Sequence, residues 1–453
     1  MGDRGIWQIF TPSHDNLGFS WIVDYSGPRW SAQGSLSLSR HYLNEPQMCI
    51  NRRTLIQELQ GVSLLDGRYT DIQVVNCDPA TGKPKDHGGV LSVVFKAEDT
   101  HSGQAVAIKF FDPDLNGPQL NYRFDLFQRE CDLLKGLSGK ERCLRLHAPI
   151  SQFDIGVSDP TNGRALTIAA YYYVSEWLDN DINAYFHKQE EFEAEEKLRI
   201  FREVFLAVHT LHRHGIYHRD LKADNLRIAT RNGHQRAVAI DLGTAAAFDS
   251  PSLGRATEYA QPVGAPAYAP IESHCGLAAI RALGIPYDIY ALGCMLYDLF
   301  NSEMYFLSLL QDSGFQTCLG ACQSHMMAVR SQTSKESSIL REWQRILSLS
   351  SRQVTRPHIA GPHSSVPPSI EQPLGRLLNT LTQLDYRRRL TDHNRILRYI
   401  DTALNLLANR RSERRRLDRK RQLRARRLEK LAQRDHRLAR YLEKRPLNGT
   451  ESC

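Results

Sequence analysis

Short runs of β-branched and aromatic residues alternate with turn-forming residues from about Tyr69 onward. The runs "IQVVNC", "VLSVVFKAE" and "QAVAIKFF" are separated by segments such as "PATGKPKDHGG" and "DTHSG". Two more strand-like runs follow, and the second ends in "YYYVSEWL". Runs of this length, bounded by turn-forming residues, are typical of strands joined by hairpins. The pattern therefore predicts an antiparallel sheet.

The hydrophobic period changes to that of helices beyond Asp181. The segment "LRIFREVFLAVHTLHRHG" places Leu198, Phe201 and Phe205 on one face and ends at Gly215. "DIYALGCMLYDLF" is apolar on most sides, which indicates a buried helix. An earlier segment with helical spacing, "FDLFQRECDLLKGL", follows the first three predicted strands. A sheet followed by helices predicts an α+β architecture with two lobes.

The chain divides into three predicted parts. Residues 1–63 form a leader, in which "GFSWIVDYSG" indicates a small β element. Residues 64–408 form the two-lobed body, with lobes of about 64–178 and 179–408. Residues 409–453 form a basic tail that is predicted to be helical.

The positive charge of the chain is concentrated in the tail. Residues 410–445 contain 17 Lys and Arg against 5 Asp and Glu, a net charge of +12, whereas the whole chain has +8. The rest of the chain is therefore slightly acidic. Two interpretations stay open for residues 409–445. This segment is either a solvated charged helix with leucines near heptad spacing, or a docking element for an acidic partner such as nucleic acid, an anionic membrane surface or an acidic protein.

The sequence carries no predicted export or membrane signal. No run of 18 or more apolar residues occurs, so no transmembrane segment is predicted. The N-terminal "MGDRGIWQIF" lacks the basic and apolar regions of a signal peptide. Nine cysteines without a regular framework then indicate free thiols in a reducing cytoplasm. The spacing of Cys318, Cys322 and His325 matches no common zinc pattern, so buried thiols are the favoured interpretation.

The segment "HGIYHRDLKADNLRI" concentrates charged and amide side chains on one predicted loop. Asp220, Lys222 and Asn225 all lie within it. Such a density of polar groups opposes burial unless a ligand binds them. Asp241 follows in "IDLG" after a β-rich run, and Lys109 ends "VAIK" far upstream.

These motifs, together with Glu130 in the predicted helix 21 residues after Lys109, resemble the eukaryotic-like serine/threonine protein kinase superfamily, with a lean toward bacterial members. The resemblance covers about residues 64–408. It implies the two-lobed protein kinase fold, with an antiparallel sheet and one helix in the first lobe and a mainly helical second lobe. It also implies transfer of the γ-phosphate of ATP to Ser or Thr hydroxyls of a protein substrate, with Mg²⁺ bound.

The resemblance assigns catalytic roles to four residues. Asp220 is the expected catalytic base, which accepts the proton of the substrate hydroxyl. Lys222 is expected to meet the transferring phosphate. Lys109 is expected to bind the α- and β-phosphates and to be held by an ion pair with Glu130.

Further residues are implied to hold the nucleotide and the metal. Asn225 and Asp241 are the expected Mg²⁺ ligands and also contribute to the nucleotide site. Gly88 and Gly89 are the expected contacts of the glycine loop with the phosphates. The other expected nucleotide contacts are Val94, Ala107, Lys109, Glu176 and Leu178.

Later motifs fit the same resemblance. Glu272 in "GAPAYAPIE" and Arg389 in "DYRRRLT" stand where the family has an ion pair. Leu134, His218 and Leu242 match three positions of the hydrophobic column that links the two lobes. Their order along the chain makes the resemblance much more specific than the His-Arg-Asp motif alone.

The sequence departs from the family pattern at three informative places. In "HGGVLSVV" only Gly89 falls on one of the three usual glycine positions, which predicts a less close approach of the backbone to the phosphates. Ala265 stands where serine/threonine kinases usually have a Thr that contacts the catalytic Asp. Arg227 occupies a position under the adenine that is often Leu, and its aliphatic stem can cover the ring.

None of these departures removes a group for phosphate binding, metal binding or proton transfer. An active protein kinase is therefore the main hypothesis. The alternative is a nucleotide-binding pseudokinase scaffold that acts through its basic tail. A small-molecule phosphotransferase of related fold is a third hypothesis, but that class tends to lack a Lys at position 222 and the Glu–Arg ion pair.

Overall fold

The computed structural model of the protein describes residues 51–85, 92–113, 120–158, 165–247, 263–361 and 364–443. The earlier part of this chain forms a five-stranded sheet with two helices, and the later part is mainly helical. The predicted α+β, two-lobed architecture is therefore confirmed. The β element predicted in "GFSWIVDYSG" lies outside the described residues.

The first lobe is built on an antiparallel sheet. In spatial order its strands are β1 (Tyr69–Val74), β2 (Ser92–Asp99), β3 (Gln104–Phe111), β5 (Ala165–Glu176) and β4 (Leu146–Ser158). Its helices are α1 (Arg52–Gln60) and α2 (Leu120–Gly136). Val106, Ile108 and Phe110 are buried in the apolar core on one face of β3. Because side chains alternate along a strand, Ala107 and Lys109 face the opposite side.

Helix α1 lies within the range that the sequence analysis assigned to the leader, and the sequence analysis did not predict it. Leu55, Ile56 and Leu59 of this helix are fully buried in the same apolar cluster as the sheet. Asn51 caps the helix, since its side chain accepts a hydrogen bond from Thr54 N at 2.8 Å. The core of the first lobe thus includes residues before position 64.

The second lobe is mainly helical. Its helices are α3 (Ala184–His187), α4 (Ala194–Arg213), α5 (Ile271–His274), α6 (Gly284–Asp298), α7 (Tyr305–Leu310), α8 (Ser313–Gln332), α9 (Glu336–Ser350), α10 (Pro368–Leu381) and α11 (His393–Glu443). Its short strands are β6 (Asn180–Asp181), β7 (Ile216–Tyr217), β8 (Leu226–Arg231), β9 (His234–Ala239) and β10 (Ala246–Ala247). Strand β8 pairs with β6 and β9, and β7 pairs with β10. These two small sheets frame the loops that carry Asp220 and Asp241.

Helices α4 and α6 form the centre of the second lobe. Helix α4 starts with a capping box between Glu193 and Glu196. Its buried face contains Leu198, Phe201 and Phe205, as predicted. Helix α6 is buried on nearly every side, which explains why its sequence has no continuous polar face.

The thiols of Cys318 and Cys322 are buried in α8, as the sequence analysis favoured. Their sulfur atoms lie 3.2 and 3.5 Å from Ser350 Oγ. His325 Nε2 instead lies 3.2 Å from Glu342 Oε2. Within the described ranges, no three His, Cys, Asp or Glu side chains are grouped so that they could hold a metal.

The tail belongs to α11, which continues without a break through position 409 to Glu443. At about 1.5 Å per residue, a helix of 51 residues is about 76 Å long. Leu417, Leu423 and Leu431 are 57%, 60% and 54% exposed. The predicted helical conformation of the tail is therefore confirmed as far as residue 443. None of the helices that the structure describes combines the length and the apolar character needed to cross a membrane.

Asp298 makes the stability of the second lobe depend on pH. Its carboxylate is buried at the end of α6 and accepts a hydrogen bond from Tyr305 N at 2.8 Å. Burial raises the pKa of Asp298 from 3.8 to about 7. The folded state therefore keeps a proton that the unfolded state releases at lower pH. This contribution to stability is fully present below about pH 4 and is lost as the pH rises to about 7.

The asparagine side chain in Asp298→Asn cannot ionise. We therefore expect this variant not to lose stability at this site as the pH rises. We compare the free energy of unfolding of the variant with that of the wild type. The difference, variant minus wild type, should increase by on the order of 3 kcal/mol between about pH 4.5 and about pH 7.5. Urea unfolding at both pH values measures the difference. A difference that does not change with pH would contradict the raised pKa.

Candidate active site

The face of β3 that carries Ala107 and Lys109 is turned toward the space between the lobes. Strands β2 and β3 pair so that Val94 lies opposite Lys109. Val94, Ala107 and Lys109 are all half-buried. Lys109 reaches Glu130 on α2 and Asp241 in the second lobe. The predicted nucleotide contacts on the two strands therefore share one face with the predicted phosphate-binding Lys.

The ammonium group of Lys109 is shared by two carboxylates. Lys109 Nζ lies 2.9 and 2.8 Å from Oε1 and Oε2 of Glu130 and 2.9 Å from Oδ1 of Asp241. Burial opposes the charged form of Lys109, but the carboxylates of Asp241 and Glu130 outweigh it and raise the pKa of Lys109 well above 10.5. The positive charge of Lys109 in turn lowers the pKa of Asp241. Both Lys109 and Asp241 therefore stay charged at neutral pH.

Glu130 also holds the backbone next to Asp241. Its Oε1 accepts a hydrogen bond from Leu242 N at 3.0 Å. Asp241 has a φ of 59° and a ψ of 67°, a left-handed conformation that residues other than Gly rarely adopt. The ion pair with Lys109 and the hydrogen bond to Leu242 together hold Asp241 in this conformation.

A buried carboxylate on α6 fixes the loop that leads to Asp220. Asp288 is fully buried and accepts hydrogen bonds from His218 N at 2.7 Å and Arg219 N at 2.8 Å. His212 Nε2 lies 2.9 Å from the same carboxylate. Arg219 has a φ of 66°, so these bonds stabilise a strained backbone directly before Asp220.

The carboxylate of Asp220 is oriented by two hydrogen bonds. Asn225 Nδ2 donates to its Oδ2 at 2.8 Å, and Ala265 N donates to its Oδ1 at 2.6 Å. Burial raises the pKa of Asp220, although the positive charge of Lys222 opposes this rise. A raised pKa brings a carboxylate closer to the proton affinity that a general base needs at neutral pH.

Asn225 and Asp241 have the chemistry of magnesium ligands. Because the Asn225 amide nitrogen donates to Asp220, the amide oxygen is the atom left to bind a metal. The Asp241 side chain is 41% exposed, so part of its carboxylate is accessible beside Lys109. Mg²⁺ prefers such hard oxygen ligands and takes its remaining ligands from phosphates and water. The donor set therefore fits the metal that the family resemblance implies.

The remaining predicted nucleotide contacts are only partly described. Gly88 and Gly89 lie outside the described residues. The Glu176 side chain is buried in an ion pair with Arg231, so we expect its backbone rather than its carboxylate to contact the adenine. Leu178 is half-buried and packs against the core of the second lobe.

The backbone at residues 264 and 265 contributes a contact that the sequence analysis missed. Ala265 lacks a hydroxyl, but its amide donates to Asp220 in place of a side chain. Gly264 has a φ of 74°, and a Cβ at this position would lie 2.4 Å from Arg219 O and 2.8 Å from Asp220 Oδ1. Only glycine allows the backbone to approach Asp220 this closely. In the sequence, this contact was indicated only by the Gly that precedes Ala265, the residue that replaces the family's usual Thr.

Two buried arginines brace the segments around the site. Arg389 pairs with Glu272 through two hydrogen bonds, one of them 2.8 Å long, and neither side chain is exposed. The ion pair expected at these positions is therefore present. Arg219 is also buried, and it donates to Thr244 O at 2.7 Å and Ala278 O at 3.3 Å.

Five of the predicted site residues thus form two hydrogen-bonded groups. Lys109, Glu130 and Asp241 form one, and Asp220 and Asn225 form the other. The negative charge of Asp241 contributes to the raised pKa of Asp220, so the two groups share one cleft. The candidate phosphate-binding Lys, the candidate metal ligands and the candidate general base therefore lie together.

Comparison with known proteins agrees with this arrangement. A family model described as protein kinase domain matches residues 88–400. A probable serine/threonine-protein kinase of Streptomyces coelicolor is 28% identical over 237 residues, which are 52% of this chain and 30% of that protein. Serine/threonine-protein kinase PrkC of Bacillus subtilis is 26% identical over 245 residues, or 53% of this chain and 32% of PrkC. Serine/threonine-protein kinase PknB of Mycolicibacterium smegmatis is 26% identical over 221 residues, or 48% of this chain and 32% of PknB.

The fold and the arrangement of the candidate site are those of a protein kinase domain, and the sequence is similar to serine/threonine-protein kinases of bacteria. The chain belongs to the protein kinase domain family, because the family model covers most of its length. The chain spans about a third of the length of these relatives.

Gly264→Ala tests the close approach of the backbone to Asp220. We expect it to lower the free energy of unfolding by roughly 3 kcal/mol, because positive φ and a steric clash act together. Gly233→Ala is the matched control, since Gly233 has a φ of 75° and no atom within 4 Å of the added Cβ. The control should cost only about 1 kcal/mol. Equal losses in urea unfolding would show that the contact with Asp220 is not tight.

Proposed function

We propose that this protein is an active kinase that transfers the γ-phosphate of ATP to Ser or Thr hydroxyls of protein substrates. The observation that carries the proposal is the position of Lys109 Nζ, 2.8–2.9 Å from oxygens of both Glu130 and Asp241. In protein kinases the Lys–Glu ion pair and the metal-binding Asp must be in place together for transfer. The names of the similar bacterial proteins support the choice of Ser and Thr as acceptors.

Each side chain has a distinct task in this proposal. Lys109 binds the α- and β-phosphates, and Lys222 neutralises charge on the transferring phosphoryl group. Asp220 orients the substrate hydroxyl and accepts its proton. Asn225 and Asp241 bind Mg²⁺, which when present supplies positive charge to the phosphate oxygens.

A nucleotide-binding pseudokinase scaffold is the alternative. It would use the same cleft to hold ATP without transfer and would act through the basic tail. The presence of Asp220, Asn225 and Asp241 in hydrogen-bonded positions favours the enzyme, because a scaffold needs no oriented general base. Both proposals expect the protein to bind ATP, but only the first expects it to transfer phosphate.

We also propose that the protein works in the cytoplasm. Six described cysteines are free and buried: Cys131, Cys143, Cys275, Cys294, Cys318 and Cys322. Free thiols suit a reducing compartment.

Lys109→Ala and Asp241→Ala should each lower the rate of phosphate transfer by at least about a thousandfold, which corresponds to about 4 kcal/mol of transition-state stabilisation. The assay uses γ-labelled ATP, Mg²⁺ and a generic basic protein as substrate. Asp154→Asn, an exposed change on β4, is the control and should keep the wild-type rate. If label transfer survived both active-site changes, the site would be assigned to the wrong residues.

For the basic tail we propose an acidic partner, either nucleic acid or an anionic membrane surface. The side chains described from Asn409 to Leu431 are exposed, and the segment 410–445 has a net charge of +12. Removing residues 409–453 should therefore abolish binding to RNA or to anionic vesicles, and binding by the full chain should weaken as salt rises. Filter binding measures the affinity for RNA, and vesicle sedimentation measures the affinity for anionic vesicles. Unchanged binding to both would leave the tail as a solvated helix.

A further inference from the structure

A basic groove separates α10 from the first part of α11. Its volume is about 420 Å³, and it lies on the second lobe among residues outside the catalytic cleft. Three of its lining residues are arginines: Arg376 on α10, and Arg395 and Arg398 on α11. No Asp or Glu lines the groove. The helical spacing explains the arrangement, because positions three and four apart on α11 fall on one face.

Within the described ranges, no counter-ion pairs with the three guanidinium groups. All three side chains are exposed, and none forms an ion pair or side-chain hydrogen bond with the residues that the structure describes. The nearest acidic residues along α11 are engaged elsewhere. Asp401 pairs with Arg202 at 2.8 Å, and Asp392 accepts a hydrogen bond from the backbone N of Arg395 at 3.1 Å. The groove therefore concentrates positive charge that is accessible to an external anion.

The other lining residues limit the kind of anion. Pro373 and Leu406 add apolar surface at the groove, and Leu406 is 38% exposed. Tyr399 adds a half-buried aromatic ring with a hydroxyl. A ligand that matches this surface carries a compact, strongly charged group next to a small apolar one.

We propose that the groove binds a phosphorylated Ser or Thr side chain in a protein segment. A phosphate monoester carries up to two negative charges and accepts paired hydrogen bonds from guanidinium groups. A phosphoserine followed by an apolar residue matches both the arginines and the surface formed by Pro373 and Leu406. Clusters of arginine are a recurrent means of recognising phosphorylated segments.

A polymer of phosphodiesters fits the groove less well. Nucleic acid spreads single negative charges along a strand and is bound by a long basic track. Here three cations converge on one cavity of limited size. A membrane surface would likewise favour a flat basic face over a groove between two helices. The inference depends on the groove alone and holds whether or not the catalytic cleft turns over ATP.

The test uses the full chain and a fluorescent peptide with one phosphoserine followed by leucine. Fluorescence polarisation should show at least about tenfold tighter binding of this peptide than of its unphosphorylated form. The combined change Arg376→Gln, Arg395→Gln and Arg398→Gln should weaken binding of the phosphopeptide by about tenfold or more. The melting temperature of this variant should stay near that of the wild type, because the three side chains are exposed.

A variant with the same change in net charge provides the control. Arg53→Gln, Arg341→Gln and Arg352→Gln remove three exposed arginines that lie outside the groove and outside the basic tail. This control should keep the wild-type affinity within about twofold. If the two variants lost affinity for the phosphopeptide equally, general charge attraction would explain the binding, and the proposal would be overturned. Equal affinity for the phosphorylated and unphosphorylated peptides would also overturn it. The same holds if the protein bound vesicles with phosphoinositides but bound neither peptide.

Discussion

The sharing of one ammonium group by two carboxylates is the interaction on which the site depends. Removing the Glu130 carboxylate from water is costly unless a cation offsets its charge. Lys109 does so at distances of 2.8–2.9 Å and also contacts the partly exposed Asp241. The three residues come from β3, from α2 and from the loop after β9. Their contact therefore fixes the sheet, the helix and the second lobe relative to one another at the proposed phosphate site.

A second buried charge plays the same part for the catalytic loop. Asp288 lies on α6, in the most buried element of the second lobe, and holds the backbone of His218 and Arg219. Asp220 follows directly, and its carboxylate meets the amide of Ala265. The proposed general base is thus positioned by buried contacts with helix α6 and with the backbone of Ala265. This suits a reaction that depends on geometry and electrostatics.

The sequence predicted those parts of the site that lie in short motifs. Asp220 and Asp241 stand in motifs whose residue types have a chemical reason, and the order of the motifs along the chain restricted the fold to one family. The contact between Ala265 and Asp220 could not be predicted, because a backbone amide is present at every position and only tertiary structure brings this one to the carboxylate. Helix α1 was missed for a related reason. Its nine residues form too short a pattern to identify, and the burial of Leu55 and Ile56 depends on the sheet.

The central claim is that Lys109 and Asp241 form a site for a nucleotide with its metal. Titration calorimetry of the full chain with ATP, in the presence and absence of Mg²⁺, tests this claim most directly. The account predicts saturable binding with Mg²⁺ that weakens at least about tenfold when the metal is withheld. Binding of equal strength in both conditions, or no binding in either, would contradict it.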